Sequence, residues 1–131
     1  LVYRGALLTR FVDAQPLAQV AAGGDGPHRR AGQAVHALHE AGVIHADLNA
    51  HNILDDGARA WVIDLDRSRV VNRLTSFQRA RSVLRLRRSY AKLGIPMERF
   101  DAFLEGYGPI TFPALLRALY AARQTLAGRA R

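Results

Sequence analysis

The sequence contains no cysteine. Disulfides and thiolate metal sites are therefore excluded, and a reducing compartment is the expected setting. Long apolar runs are missing too: the apolar stretches are short and interrupted by arginine, so no segment reads as a membrane span. Nothing in the opening residues reads as a secretory signal. Acidic residues are scarce, 11 Asp and Glu against 19 Lys and Arg, for a formal net charge of +8. That imbalance predicts attraction to something anionic, whether nucleic acid, an acidic membrane surface or a phosphorylated substrate, and composition does not choose among them. Internal repeats and low-complexity segments are also absent.

What is present suits one compact domain: 131 residues, 49% hydrophobic and 23% charged, well away from the signature of disorder. The chain begins at Leu1 rather than Met, within what reads as a strand, so the natural polypeptide is expected to start further upstream. From Leu1 to Val12, β-branched and aromatic residues around Arg4-Gly5 predict two short strands. The following "DAQPLAQVAAGGDGPH" gathers Gly and Pro and reads as a linker with a short helical piece. Asp25 as a cap and Pro27 in the first turn open a helix whose apolar positions are Ala31, Val35 and Leu38, and Gly42 ends it. Then "HNIL" and "RAWVIDL" flank Asp55-Asp56-Gly57, a strong hairpin signal, with Asp64 at the hairpin's far end. The remainder reads as helical, including a stripe of Phe100, Phe103, Leu104 and Tyr107.

Between the first helix and the hairpin lies "HADLNAHNIL", residues 45–54, too rich in charged and metal-capable groups for a mere connection. Asp47 and Asn52 share this loop, and the hairpin folds Asp64 back towards them. One carboxylate could then face a hydroxyl while an amide oxygen and a second carboxylate hold Mg²⁺, which needs few protein ligands because water and phosphates fill the rest. That economy of ligands suits phosphoryl transfer.

The order H-x-D-L-x-x-x-N-I-L, a hairpin, then apolar-apolar-Asp resembles the catalytic loop and metal-binding strand of the protein-kinase-like fold. "ALHEAGVIHADL" resembles the helix leading into that loop, and "LLTRFVDAQPLAQV" the last N-lobe strand, the hinge and the start of the helix beyond it. Within that superfamily, "HADLNAHNIL" with "VIDLDRSR", the basic helix and "FLEGYG" resemble the lipopolysaccharide kinases, closest to those acting on 3-deoxy-D-manno-octulosonic acid (Kdo). The resemblance covers nearly the whole chain and is most specific in the loop.

It implies an α+β fold: residues 1–14 as the end of the N-lobe strands and hinge, and 15–131 as a mainly helical C-lobe. Within the lobe, 45–54 would be the catalytic loop, 62–66 the metal-binding strand end, 75–93 a basic helix and 96–128 the C-terminal helices. By the same resemblance Asp47 would accept or orient the proton of the attacking hydroxyl, Asn52 would bind Mg²⁺ and steady the loop, and Asp64 would bridge Mg²⁺ to ATP. His45 would be scaffold, holding the backbone near Asp64. The implied reaction transfers phosphate from ATP to a Kdo hydroxyl, the 4-hydroxyl, on a lipid A precursor, at the cytoplasmic face of a bacterial inner membrane.

Departures from the protein-kinase pattern refine this. Ala46 stands in place of the arginine that reads a phosphorylated activation loop, Asn49 in place of a lysine, and Asp66 in place of the Gly of Asp-Phe-Gly, pointing to a small or lipid-linked sugar acceptor. The glycine-rich loop, strand lysine and partner glutamate of such a phosphotransferase would precede Leu1. A truncated lobe is thus the expectation, missing most of its N-lobe and with little or no activity by itself.

Plainer readings stand beside these. Asp and Asn in the loop could simply cap turns, and a zinc site from His45, His51, Asp47 and Asp64 matches no known spacing. His36 and His39 read as packing or surface residues, and Trp61 and the Phe100–Tyr107 stripe as core. Arg81, Arg85, Arg88 and Lys92 recur on one helical face apart from Val83, Leu86, Tyr90 and Leu93. That stripe is either a solvated face or a surface for anionic lipid headgroups or lipid A phosphates. Two other functions compete: an antibiotic phosphotransferase, disfavoured by the cationic stripe, and a nucleic-acid-binding module. The latter lacks stacking aromatics among the basic residues, so no nucleic-acid partner is expected.

Overall fold

The computed structural model describes residues 11–20 and 23–118. The strand expectation for 1–10 and the helix beyond 118 lie outside them. The described residues are α+β, with three long helices, a further helical stretch and two small antiparallel sheets. Its elements run β1 (Gln15–Pro16), α1 (Gly26–Glu40), β2 (Val43–Ile44), β3 (Ile53–Asp55), β4 (Ala60–Val62), β5 (Arg69–Val70), α2 (Ser76–Lys92) and α3 (Met97–Tyr107), and residues 114–118 are again helical. One sheet has the order β1-β3-β4 and the other joins β2 to β5.

Pro27 sits in the first turn of α1, where a missing N–H costs nothing, and Gly42 follows the helix with φ of 79°. Asp25 holds the N-cap position without a side-chain capping bond; its carboxylate pairs instead with Arg99 of α3 and Arg29. The face that α1 buries is His28, Ala31, Gly32, Val35 and His39, whereas Leu38 is only half-buried. Helix α2 starts with a capping box: Gln78 N–H donates to the Thr75 hydroxyl, and Thr75 N–H donates to Gln78 Oε1.

Two positions set the distance between α1 and α3. A Cβ on Gly32 would lie 2.1 Å from the Phe103 carbonyl oxygen, and one on Gly106 would lie 2.0 Å from the Arg29 carbonyl oxygen. The helix backbones therefore touch, and Phe100, Phe103 and Tyr107 reach the core formed with Val35, Leu48, Ile53, Leu86 and Tyr90. Polar bonds cross this core. Tyr90 hydroxyl meets His28 Nδ1 at 2.7 Å; His39 lies 2.8 Å from the Tyr107 hydroxyl through Nδ1 and 3.2 Å from the Ser82 hydroxyl through Nε2. His39 is thus a packing residue, while His36 is half-exposed and edges against Tyr107.

Several sequence expectations change. Gln15 and Pro16, read as linker, form an edge strand, while Phe11 and Val12, read as strand, have no regular structure. Proline is tolerated there because its missing donor faces no neighbour, and Leu17 N–H continues the pairing by donating to Ile53 O at 2.7 Å. The hairpin expected at Asp55-Asp56-Gly57 is present: Asp56 N–H donates to Arg59 O, Asp56 Oδ1 accepts from the N–H of Ala58 and Arg59, and Gly57 has φ of 88°. Trp61 is not core. Its indole N–H donates to Asp56 Oδ2 at 2.8 Å, and this bond above all, then the N–H of Arg59 and Ala58, holds the Asp56 carboxyl down to about 2. Leu93 is 42% exposed, off the buried face of α2.

Candidate active site

The segment 45–52 is fastened at both ends. Before it, β2 pairs with β5, bringing Ile44 opposite Arg69; after it, β3 pairs with β4, bringing Ile53 opposite Val62. Ile63 N–H donates to Asn52 O at 3.0 Å, extending that ladder by one step, so Asn52 and Asp64 lie at the same end of the hairpin. Asp64 has φ of 59°, a left-handed conformation that costs a non-glycine residue about 1 kcal/mol or more and recurs at functional sites.

His45 is nearly buried and ties the two arms together. Its Nδ1 accepts from Asp47 N–H at 3.0 Å, and its Nε2–H donates to Ile63 O at 2.9 Å. Both ring nitrogens are thereby committed to backbone, which fixes the tautomer and removes His45 from any metal ligand set. Among the described residues no cluster of three or more His, Cys, Asp or Glu is placed to hold a metal ion.

Asp47 is exposed at the loop's tip. Asn52 Nδ2 donates to Asp47 O at 2.9 Å, which leaves the Asn52 amide oxygen outside that bond. Asn49, to which the sequence reading gave no positioning role, organises the loop: its Nδ2 donates to Asp47 Oδ2 at 3.0 Å, and its Oδ1 accepts from His51 N–H at 2.9 Å and Asn52 N–H at 3.2 Å. An Asn bonding to backbone two and three residues on was the available signal. Ala50 N–H adds a bond to the Ser89 hydroxyl of α2 at 3.1 Å.

Arg85 also turns inward. Its Nη1 donates to Ala46 O at 2.8 Å and lies 3.6 Å from Asp47 Oδ1. All four are exposed, but Arg81 and Arg85 line a cavity beside the loop and Arg88 and Lys92 do not. The four residues grouped as one stripe therefore divide between two environments.

The sequence model of the family described as "Lipopolysaccharide kinase (Kdo/WaaP) family" matches residues 3–107, most of the chain. The chain belongs to the lipopolysaccharide kinase (Kdo/WaaP) family. Among similar proteins, the 3-deoxy-D-manno-octulosonic acid kinase of Xanthomonas axonopodis pv. citri (strain 306) is 45% identical over 97 residues, covering 71% of this chain and 39% of that protein. The like-named kinase of Stenotrophomonas maltophilia (strain K279a) is 42% identical over 97 residues, with the same coverage. The chain thus spans about two-fifths of the length of the curated relatives it matches. The loop and hairpin just described fall wholly inside the segment that matches the Kdo/WaaP family.

Proposed function

We propose that this chain is the C-lobe of a protein-kinase-like enzyme that transfers phosphate from ATP to a hydroxyl of Kdo, the 4-hydroxyl by resemblance, on a lipid A precursor. The observation that carries the reading is that Asn52, bonded to Asp47 O, shares one end of the hairpin with Asp64, in a chain 45% identical over 97 residues to a protein named as a Kdo kinase. Asp47 faces solvent and can take the acceptor hydroxyl's proton, while Asn49 and Asn52 hold its backbone and carboxylate in place. The donor set suits Mg²⁺: the Asn52 amide oxygen and the Asp64 carboxylate are hard oxygen ligands on adjoining strand ends. Bound there, Mg²⁺ would neutralise phosphate charge. Ile63 and Leu65 flank Asp64 and are 39% and 48% exposed, which suits a surface that nucleotide and an N-lobe cover.

No helix among the described residues is long and apolar enough to cross a membrane. The reading places this lobe's contact with an anionic bilayer at the cytoplasmic face of the inner membrane. Arg88 and Lys92 suit that contact, each contributing on the order of 1 kcal/mol near such a surface.

The test is Asp47→Asn in a protein that carries this chain at its relatives' full length, assayed with labelled ATP and Kdo-lipid A precursor. Transfer should fall by about a thousandfold with the far-UV circular dichroism spectrum unchanged. Wild-type rates would remove Asp47 from the mechanism.

A further inference from the structure

The cavity beside the loop has a volume of about 200 Å³ and is walled by Arg67, Arg69, Arg81 and Arg85, with His45 and Ala46 at its loop side. Four guanidinium-bearing residues converge from three elements. Arg69 comes from β5, Arg81 and Arg85 from α2, and Arg67 from the connection between Asp64 and β5. Arg67 is held at φ of 58°, a left-handed conformation that L side chains rarely adopt. All four are exposed and so free to meet a ligand, and no carboxylate pairs with Arg67, Arg69 or Arg81 among the described residues. The exception, Arg85, reaches Asp47, so the cavity opens directly beside the group assigned to the acceptor hydroxyl.

We propose that this cavity binds the carboxylate of the acceptor sugar acid, with Arg67, Arg69, Arg81 and Arg85 fixing the ring so that its hydroxyl meets Asp47. The proposal rests on the reading of Asp47 as the residue facing that hydroxyl. Two arguments favour a carboxylate over a more distant phosphate. The substrate named for the relatives is an octulosonic acid, whose own ring carries a carboxylate. Arg85 touches both Asp47 and the cavity, so the anion it meets belongs to the sugar that is reacting. Planar guanidinium groups match a carboxylate with paired N–H donors, which orients a ring as well as holding it. Ala46 adds no more than a methyl group to the wall, leaving the space open.

The experiment is an NMR titration of this chain, without nucleotide, by the methyl glycoside of Kdo and by the methyl ester of that glycoside. The acid should bind about tenfold more tightly than the uncharged ester. Arg81→Gln and Arg69→Gln should each bring the acid down to the ester's affinity and leave the ester unaffected. Arg59→Gln, on the hairpin turn at the opposite end from Asp64, removes the same charge and should change nothing. Equal binding of acid and ester, no binding of the acid, or an equal loss in Arg59→Gln overturns the proposal. So does inorganic phosphate binding the arginines while acid and ester remain indistinguishable, which would assign the cavity to a phosphate. Asp47→Asn should keep the discrimination between acid and ester. If that discrimination holds while Asp47→Asn transfers phosphate normally, the catalytic reading falls and the cavity stands; the reverse pattern overturns the cavity alone.

Discussion

Protonating His39 should destabilise this chain in a pH window set by one buried ring. His39 is fully buried between Tyr107 and Ser82, and burial first, then the positive charge of Arg79 and of His36, pushes its pKa from 6.5 down to about 4, against a smaller opposing pull from Glu40. Between those values the unfolded chain binds a proton that the folded chain refuses. Stability therefore falls as pH drops below 6.5 and stops falling, on this account, below about 4. At 1.36 kcal/mol per pH unit of pKa difference, the loss is roughly 1.4 kcal/mol by pH 5.5 and roughly 2.5 kcal/mol by pH 4.5. Urea unfolding followed by circular dichroism at these pH values and at about pH 7.5 measures it. The comparison is with His39→Gln, whose amide can still donate and accept towards Tyr107 and Ser82 but does not titrate. Histidines not coupled to His39 contribute equally to both proteins and cancel; adding His36→Gln to both removes the one that is coupled. The wild-type loss should exceed the variant's by the amounts given. Parallel curves for the two proteins would refute the argument.

Gly106→Ala should destabilise by about 3 kcal/mol or more, since its Cβ would sit 2.0 Å from a backbone oxygen of α1 and the helices must part; thermal melts give the value. Arg30→Met should cost about 3 kcal/mol, because it strips a bidentate partner, at 2.7 and 2.9 Å, from the Asp55 carboxylate, whose side chain is only 6% exposed. Adding Asp55→Leu should recover most of that loss in the same urea assay. Thr75→Ala should cost about 1 kcal/mol by breaking the capping box of α2, and Thr75→Ser should restore it.

Local chemistry was the legible part of this chain. Pro27 and Gly42 mark the ends of α1, the Asp55-Asp56-Gly57 run marks the hairpin, and the spacing of apolar residues marks the cores of α2 and α3, because each signal acts within a turn or two of itself. Features that depend on a distant partner were missed. Pro16 is a strand residue only because β3 arrives beside it, and the Arg85 bond to Ala46 O joins residues 39 positions apart. Trp61 looked like core by size, yet its indole N–H finds the Asp56 carboxylate at the surface, and a polar tip outweighs an apolar ring there. That the hairpin brings Asp64 back towards the loop of Asp47 and Asn52 could be expected from the sequence; the part played by Asn49 needed the bonds themselves.

The contact of α1 with α3 also bears on which changes this chain can accumulate. Epistatic rescue usually works by trading volume between neighbours, one side chain growing as another shrinks. At Gly32 and Gly106 no such trade exists, because each faces main-chain atoms of Phe103, Tyr107 and Arg29 that no substitution can make smaller. A larger residue at either position can be accommodated only by moving a whole helix, and α1 leads through Gly42 and β2 into the loop that holds Asp47. Drift at two glycines remote from the loop is thereby coupled to the placement of the proposed catalytic carboxylate, with no compensating step available at the point of contact.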